Sequence, residues 1–275
     1  MIPKTRHILP ALALLLGVAL SARADVNAQI VCATLAEGRP ISCQLRWLPV
    51  DKVYNVSYKA EGAVRETRVK PDAILKMRVE PPKGWADIAK RAAADPRAAS
   101  GQLRGQLEQI ANSYKMLQYD GEAGKLIAES FLRQNNPNGA VDACKKILTG
   151  NKDAGWNSAM APAYWQALLD ANKTAEAQAL LDKGVTSTDP NVAIMACIRR
   201  GDLLMKKNET KLALKDGYLR AVLLYRGPDE ARAEALYRAG EAFEKAGQNS
   251  YAERMRDELR SKYSRTTWGR KLLGG

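Results

Sequence analysis

The chain has 275 residues, with 43 Lys and Arg against 30 Asp and Glu, for a net charge of +13 at neutral pH. Its one histidine, His7, falls in a segment that reads as a leader, so the folding part of the chain has no imidazole. That excludes Ser-His-Asp and Cys-His catalysis and every metal site that needs a His ligand. No Gly-rich phosphate loop, metal-ligand cluster or nucleophile elbow replaces them, so the expectation is a non-enzymatic protein with no cofactor and no metal.

Residues 1–24 carry the marks of a secretory signal. Lys4 and Arg6 form a positive start, Ile8 to Leu20 are apolar, and Ala22-Arg23-Ala24 offers small residues to a signal peptidase. Such an apolar run rises about 20 Å as a helix, short of the roughly 30 Å hydrocarbon core, which favours cleavage over a permanent anchor. Export to the periplasm or outer envelope of a bacterium follows as an expectation. A basic balance often signals nucleic acid, but export makes that partner a poor fit. Acidic proteins, anionic envelope polymers or lipid headgroups fit better.

Residues 25–80 alternate apolar and polar side chains in short runs. Ala28 to Leu35, Ile41 to Trp47, Val53 to Tyr58, Val64 to Val69 and Ile74 to Val79 predict five strands, with turns at Glu37-Gly38 and Glu61-Gly62. If the first turn is a two-residue hairpin, Cys32 and Cys43 face each other near bridging distance, and a disulfide and two buried thiols are equally good readings. An apolar strand, an acidic-Gly-basic turn and a return strand resemble the SH3-like or Sm-like small barrels. Pro81-Pro82-Lys83-Gly84 then reads as a linker, residues 81–84.

From Trp85 the strand signal gives way to Ala, Leu and long charged residues. Breakers fall at Asp120-Gly121, Asn135 to Gly139, Asn151 to Gly155, Asn172-Lys173, Asp189-Pro190, Lys207-Asn208, Gly227-Pro228 and Gly247-Gln248. Helices separated by such short turns form antiparallel pairs. Cys144 and Cys197 fall on these helices as core fillers.

Small residues recur twelve apart, as Ala128 and Ala140, Gly201 and Ala213, and Gly240 and Ala252, with a large apolar residue three after each first member: Phe131, Leu204 and Phe243. Trp165 and Ala177, with Leu168, keep the offset with a large residue in the small position; Ala163/Ala175 and Ala167/Ala179 are alternative registers. Small side chains let two helices approach to the short end of the 8–10 Å range. This pattern resembles the tetratricopeptide repeat, at spacings slightly above the roughly 34 residues of the standard unit. Leu259-Arg260-Ser261-Lys262-Tyr263-Ser264 resembles the close of bacterial envelope members, such as those of the Tol-Pal and outer-membrane assembly systems, with Ser264 where they commonly have proline.

The resemblance implies a mainly α fold over residues 85–275, a right-handed α-α superhelix whose groove receives peptides or helices of partner proteins. Positions one and five after each anchor would face it: Glu129, Arg133, Gln166, Asp170, Asp202, Lys206, Glu241 and Lys245, joined by Lys125, Ile198 and Tyr237. A basic tail of Arg254, Arg256, Arg260, Lys262, Arg265, Arg270 and Lys271 suggests a second contact, with anionic polymer or a membrane surface. The expected function is an exported scaffold or adaptor, with polymer binding through the β module and tail as the alternative.

Overall fold

The computed structural model describes residues 25–95, 97, 101–149, 158–225 and 227–274. The leader and the Asn151 to Gly155 break lie outside these residues. Among them, no helix is long and apolar enough to cross a membrane.

The five strands form where alternation predicts them: β1 (Val26–Cys32), β2 (Ile41–Leu48), β3 (Val53–Ala60), β4 (Ala63–Val69) and β5 (Ile74–Val79). They make one antiparallel sheet in the order β4-β3-β2-β1-β5. One face of each central strand is buried, with Ile30, Leu45 and Val56 fully covered and Trp47 tilted against Tyr54 at 5.0 Å. Burying such side chains is worth about 1.5–3 kcal/mol each, which fixes the register.

The first hairpin differs from its expected register. Ile30 pairs with Ile41 and Ala28 with Cys43, so Cys32 lies four residues beyond the position opposite Cys43. That displacement is roughly 13 Å along a strand, far outside disulfide reach. The cause is β5: past Ile30, β1 leaves β2 and continues along β5, with Cys32 opposite Ile74. The Glu37-Gly38 turn is accordingly part of a wider loop with a 3₁₀ turn at Ala36–Gly38. Both cysteines are buried free thiols, and burial pushes the Cys43 thiol up to about 11.

Helices follow in pairs: α1 (Trp85–Ala94) and α2 (Gly101–Ser113), α3 (Tyr119–Arg133) and α4 (Pro137–Leu148), α5 (Ala161–Asp170) and α6 (Thr174–Gly184). α7 (Pro190–Lys206) is answered by a continuous rod made of α8 (Thr210–Leu212), a π-helical stretch (Ala213–Tyr218) and α9 (Leu219–Leu224). α10 (Asp229–Lys245), α11 (Asn249–Tyr263) and α12 (Thr267–Leu272) close the chain. Local chemistry sets several starts: the Asn136, Asp189 and Thr266 side chains accept from Gly139 N, Asn191 N and Gly269 N, and Pro137 and Pro190 stand in the first turns. Asp120-Gly121, expected as a break, is instead the first turn of α3. There Asp120 accepts from the Met116 and Gly121 backbone N–H groups at 2.9 and 2.8 Å.

The principal helix contacts repeat. Each hairpin packs internally, its second helix packs on the first helix of the next hairpin, and α1, α3, α5, α7 and α10 touch in succession. The apolar core therefore runs lengthwise, from Ala128 to Leu259 in one cluster, with a second cluster joining α1 to α4. Cys144 and Cys197 fill this core.

The small-residue contacts are present, with one shift. Gly240 faces α11, where an added Cβ would meet Ala252 O at 3.7 Å, and Ala128 and Ala140 are fully buried. Gly201 approaches the rod at Gly217 and the Tyr218 ring rather than at Ala213. On the rod the buried positions are 213/214, 217/218 and 221/222. Four residues of α-helix turn about 400°, so a strict four-residue seam would drift by about 40° per step. The π turn, with its i→i+5 bonds, takes up that drift and keeps the seam against α7. Around Trp165 the twelve-residue register holds: Ala177 is fully buried whereas Ala175 and Ala179 are exposed. Trp165 is itself fully buried, because Gly184 leaves room for its ring.

The residues 81–84 do separate β5 from α1, but the two regions share packing. Leu117, from the turn before α3, is 1% exposed and belongs to the core cluster of the sheet, with Tyr114, Met116 and Tyr119 around it. Tyr54 Oη donates to Met116 O at 2.8 Å. The β module is thereby completed by the helical region.

Candidate partner-binding groove

α5, α7 and α10 present successive faces to a cavity of about 300 Å³ lined by Gln166, Leu169, Asp170, Asp202, Met205, Lys206, Tyr218, Arg238 and Glu241. Five residues expected to face the groove meet here: Gln166, Asp170, Asp202, Lys206 and Glu241. Their positions, one and five after each anchor, lie about 100° and 140° around the helix from the buried anchor, and so emerge together.

Several of these polar groups are already held. Gln166 Nε2 donates to both carboxylate oxygens of Asp170 at 2.9 Å, and Lys206 Nζ donates to Leu169 O at 2.5 Å, covering the end of α5. Asp202 is the hub of the floor. It accepts from Tyr218 Oη at 2.8 Å and Arg199 Nη1 at 2.8 Å, and its Oδ1 lies 3.8 Å from Arg238 Nε. Arg199 also donates to Glu234 at 2.7 Å, joining α7 to α10 through a buried ion pair. Burial disfavours the charged Arg199, but Glu234 and Asp202 outweigh it and hold its pKa above the ordinary value. Burial, then the Asp202 charge and hydrogen bond, push the Tyr218 hydroxyl well up, so it stays a donor at neutral pH. The site thus has a preset floor with Asp170, Lys206 and Glu241 exposed on it.

The other expected positions do not join this cavity. Ile198 is fully buried in the core and Tyr237 is partly buried against Trp268, with ring centroids 5.1 Å apart. Both stand three before an anchor, only about 60° from the buried side, so the core and α12 claim them. Arg133 reaches back to α1 and donates to Ala92 O at 2.9 Å, while Lys125 pairs with Glu129 at 4.0 Å. Burial raises the Glu129 carboxyl, against the opposing pull of Lys125 and Arg133. Lys245 is exposed and donates to Asn208 Oδ1 at 3.5 Å. Four lining residues were not expected: the apolar Leu169 and Met205, and the polar Arg238 and Tyr218. Arg238, two before its anchor, lies about 160° from it, a position that the same geometry could have found. Tyr218 arrives through the π turn, which breaks the twelve-residue rule.

Three of the seven cations of the basic tail pair with carboxylates. Arg256 pairs with Glu244 at 2.5 Å and Glu253 at 3.6 Å, Arg260 with Glu253 at 2.7 Å and Asp257 at 2.9 Å, and Lys262 with Glu258 at 3.1 Å. Lys271 sits over the Tyr237 and Trp268 rings at 4.7 and 4.9 Å, and Arg254 lies 5.9 Å from the Tyr251 ring centre. Arg270 is spent on Arg265 O at 2.8 Å, and Arg265 is exposed. The tail therefore does not present seven free cations. Among the described residues, no group of three or more His, Cys, Asp or Glu could hold a metal ion. Comparison with known proteins finds no matching family model, no matching curated protein and no matching solved structure.

Proposed function

We propose that this is an exported scaffold of the bacterial cell envelope, built on tetratricopeptide-like hairpins and a small β-barrel-like module, which binds a segment of a partner protein in the α5–α7–α10 groove. The observation that carries the reading is the convergence of Gln166, Asp170, Asp202, Lys206 and Glu241 from three successive first helices onto one cavity. The exposed charges there are of both signs, Asp170 and Glu241 against Lys206. A uniform polyanion would meet two carboxylates in that site, whereas a peptide can place a cation beside each and an acid beside Lys206. Pairing of Arg256, Arg260 and Lys262 with carboxylates of α10 and α11 further weakens the polymer alternative.

A photo-crosslinking amino acid at Gln166, introduced into the full chain in its native compartment, is expected to yield a discrete adduct containing one identifiable partner protein. The same group at the exposed Ser261 should not. Recovery of glycan or lipid alone at Gln166 would replace this reading with the polymer one.

A further inference from the structure

A second surface lies on the rod of α8, the π turn and α9, turned away from α7. Four-residue spacing sorts its outward side chains into two columns, Lys211-Lys215-Leu219-Leu223 and Leu212-Asp216-Arg220-Leu224. Leu212, Leu223 and Leu224 are 43%, 75% and 66% exposed, although apolar side chains of this size gain by leaving water. Leu223 and Leu224, with Leu214, Leu219 and Gln248 at the start of α11, line a depression of about 610 Å³. The π turn explains why leucines stand outside. The inward columns, Ala213-Gly217-Ala221 and Leu214-Tyr218-Val222, take the whole seam against α7, and the outward leucines are left with nothing to cover them.

Charge is arranged along the same axis. Lys211 and Lys215 mark the start of the rod, and Arg220 flanks the leucines. Among the described residues none of the three enters an ion pair, in contrast to the paired cations of α11. Asp216 is the single acid among the lining residues. A second copy of this chain placed face to face would bring these cations against their own kind. A flat lipid surface would reach the projecting Leu223 and Leu224 but leave the depression unfilled. A helix fills it along its length.

We infer that this face docks an amphipathic helix of a partner protein, with its apolar stripe on Leu219, Leu223 and Leu224 and its acidic end over Lys211 and Lys215. The mode is helix-in-groove recognition, in which leucines at helical spacing anchor and charge sets direction. The surface is distinct from the α5–α7–α10 groove, and neither proposal depends on the other.

The test uses the full mature chain and a fluorescein-labelled synthetic helix of about 18 residues, long enough to span the rod. Leucines form one face and glutamates are confined to one end; a second peptide carries lysines in their place. Saturable anisotropy binding of the Glu peptide is expected, weakened about tenfold or more by Leu223→Glu with Leu224→Glu. Lys211→Glu with Lys215→Glu should weaken the Glu peptide about tenfold and bind the Lys peptide in its stead. All these side chains are exposed, so the melting temperature should not move, and Asp170→Lys with Glu241→Lys should leave this binding intact. Equal binding of both peptides to the unmodified protein, or indifference to the leucine pair, would overturn the proposal. So would retention on phosphatidylglycerol-phosphatidylcholine vesicles that the leucine variants abolish, without saturable peptide binding; the face would then be a lipid contact.

Discussion

Replacing Arg199 by Met is expected to cost about 3–5 kcal/mol of unfolding free energy, because it strands a carboxylate in the core. Arg199 and Glu234 side chains are 11% and 7% exposed, and Arg199 Nη1 lies 2.7 Å from Glu234 Oε1 and 2.8 Å from Asp202 Oδ2. Asp202 would keep Tyr218 and Arg238 as partners, whereas the structure gives Glu234 no ion-pair partner among the described residues other than Arg199. The damage is therefore expected to be specific. Arg199→Met with Glu234→Leu should recover most of the loss, since removing both members of a buried pair is often neutral. Urea denaturation of the two variants checks this. A double variant as unstable as the single one would show that the pair is not what joins α7 to α10.

Gly217→Ala and Gly240→Ala should move stability in opposite directions. Both glycines lie in helical backbone, where alanine alone gains about 0.8–1 kcal/mol. At Gly240 the nearest atoms to an added methyl are 3.7–3.8 Å away, an ordinary contact, so most of that gain should appear. At Gly217 the methyl would stand 2.5 Å from Gly201 Cα and 2.7 Å from Gly201 N, main-chain atoms that cannot swing aside. The rod would have to part from α7, and overpacking of this kind costs about 1–3 kcal/mol or more. A net loss of about 2 kcal/mol, or a melting temperature lower by roughly 4–8 °C, is expected for Gly217→Ala. Gly240→Ala should melt about 2–4 °C higher than the unmodified chain. Equal shifts for both would show that the α7–rod contact at Gly201 and Gly217 is not a close-packed joint.

These joints show which parts of the fold were legible in the residues. Alternation located all five strands, because half-buried strands must alternate, but it could not fix the first hairpin. The partner that draws β1 off β2 is β5, more than forty residues away in sequence. Small residues twelve apart located Gly240 on Ala252, where a plain α-helix continues. The rule failed for Gly201, because a strict four-residue seam over Ala213 to Val222 demands a π turn and moves the contact to Gly217 and Tyr218. Trp165 looked misplaced only because Gly184, which makes space for its ring, comes from a different helix.

The groove followed the same logic. Positions one and five past the anchors were found on α5 and α7 and position one on α10, while Lys245 turns to Asn208, and Ile198 and Tyr237 sit too near the buried side to be offered to a partner. Charge counted along the tail misled, since Glu244 and Glu253 lie before the counted segment and take up Arg256 and Arg260.

The most direct measurement is the affinity of the protein trapped at Gln166 for the unmodified chain and for Asp170→Lys with Glu241→Lys. Both side chains are exposed, so melting temperatures should match. The account predicts at least about tenfold weaker binding for the variant, through faster dissociation. Equal affinity in an equally stable protein would contradict it, and would move the partner's seat away from the face shared by α5, α7 and α10.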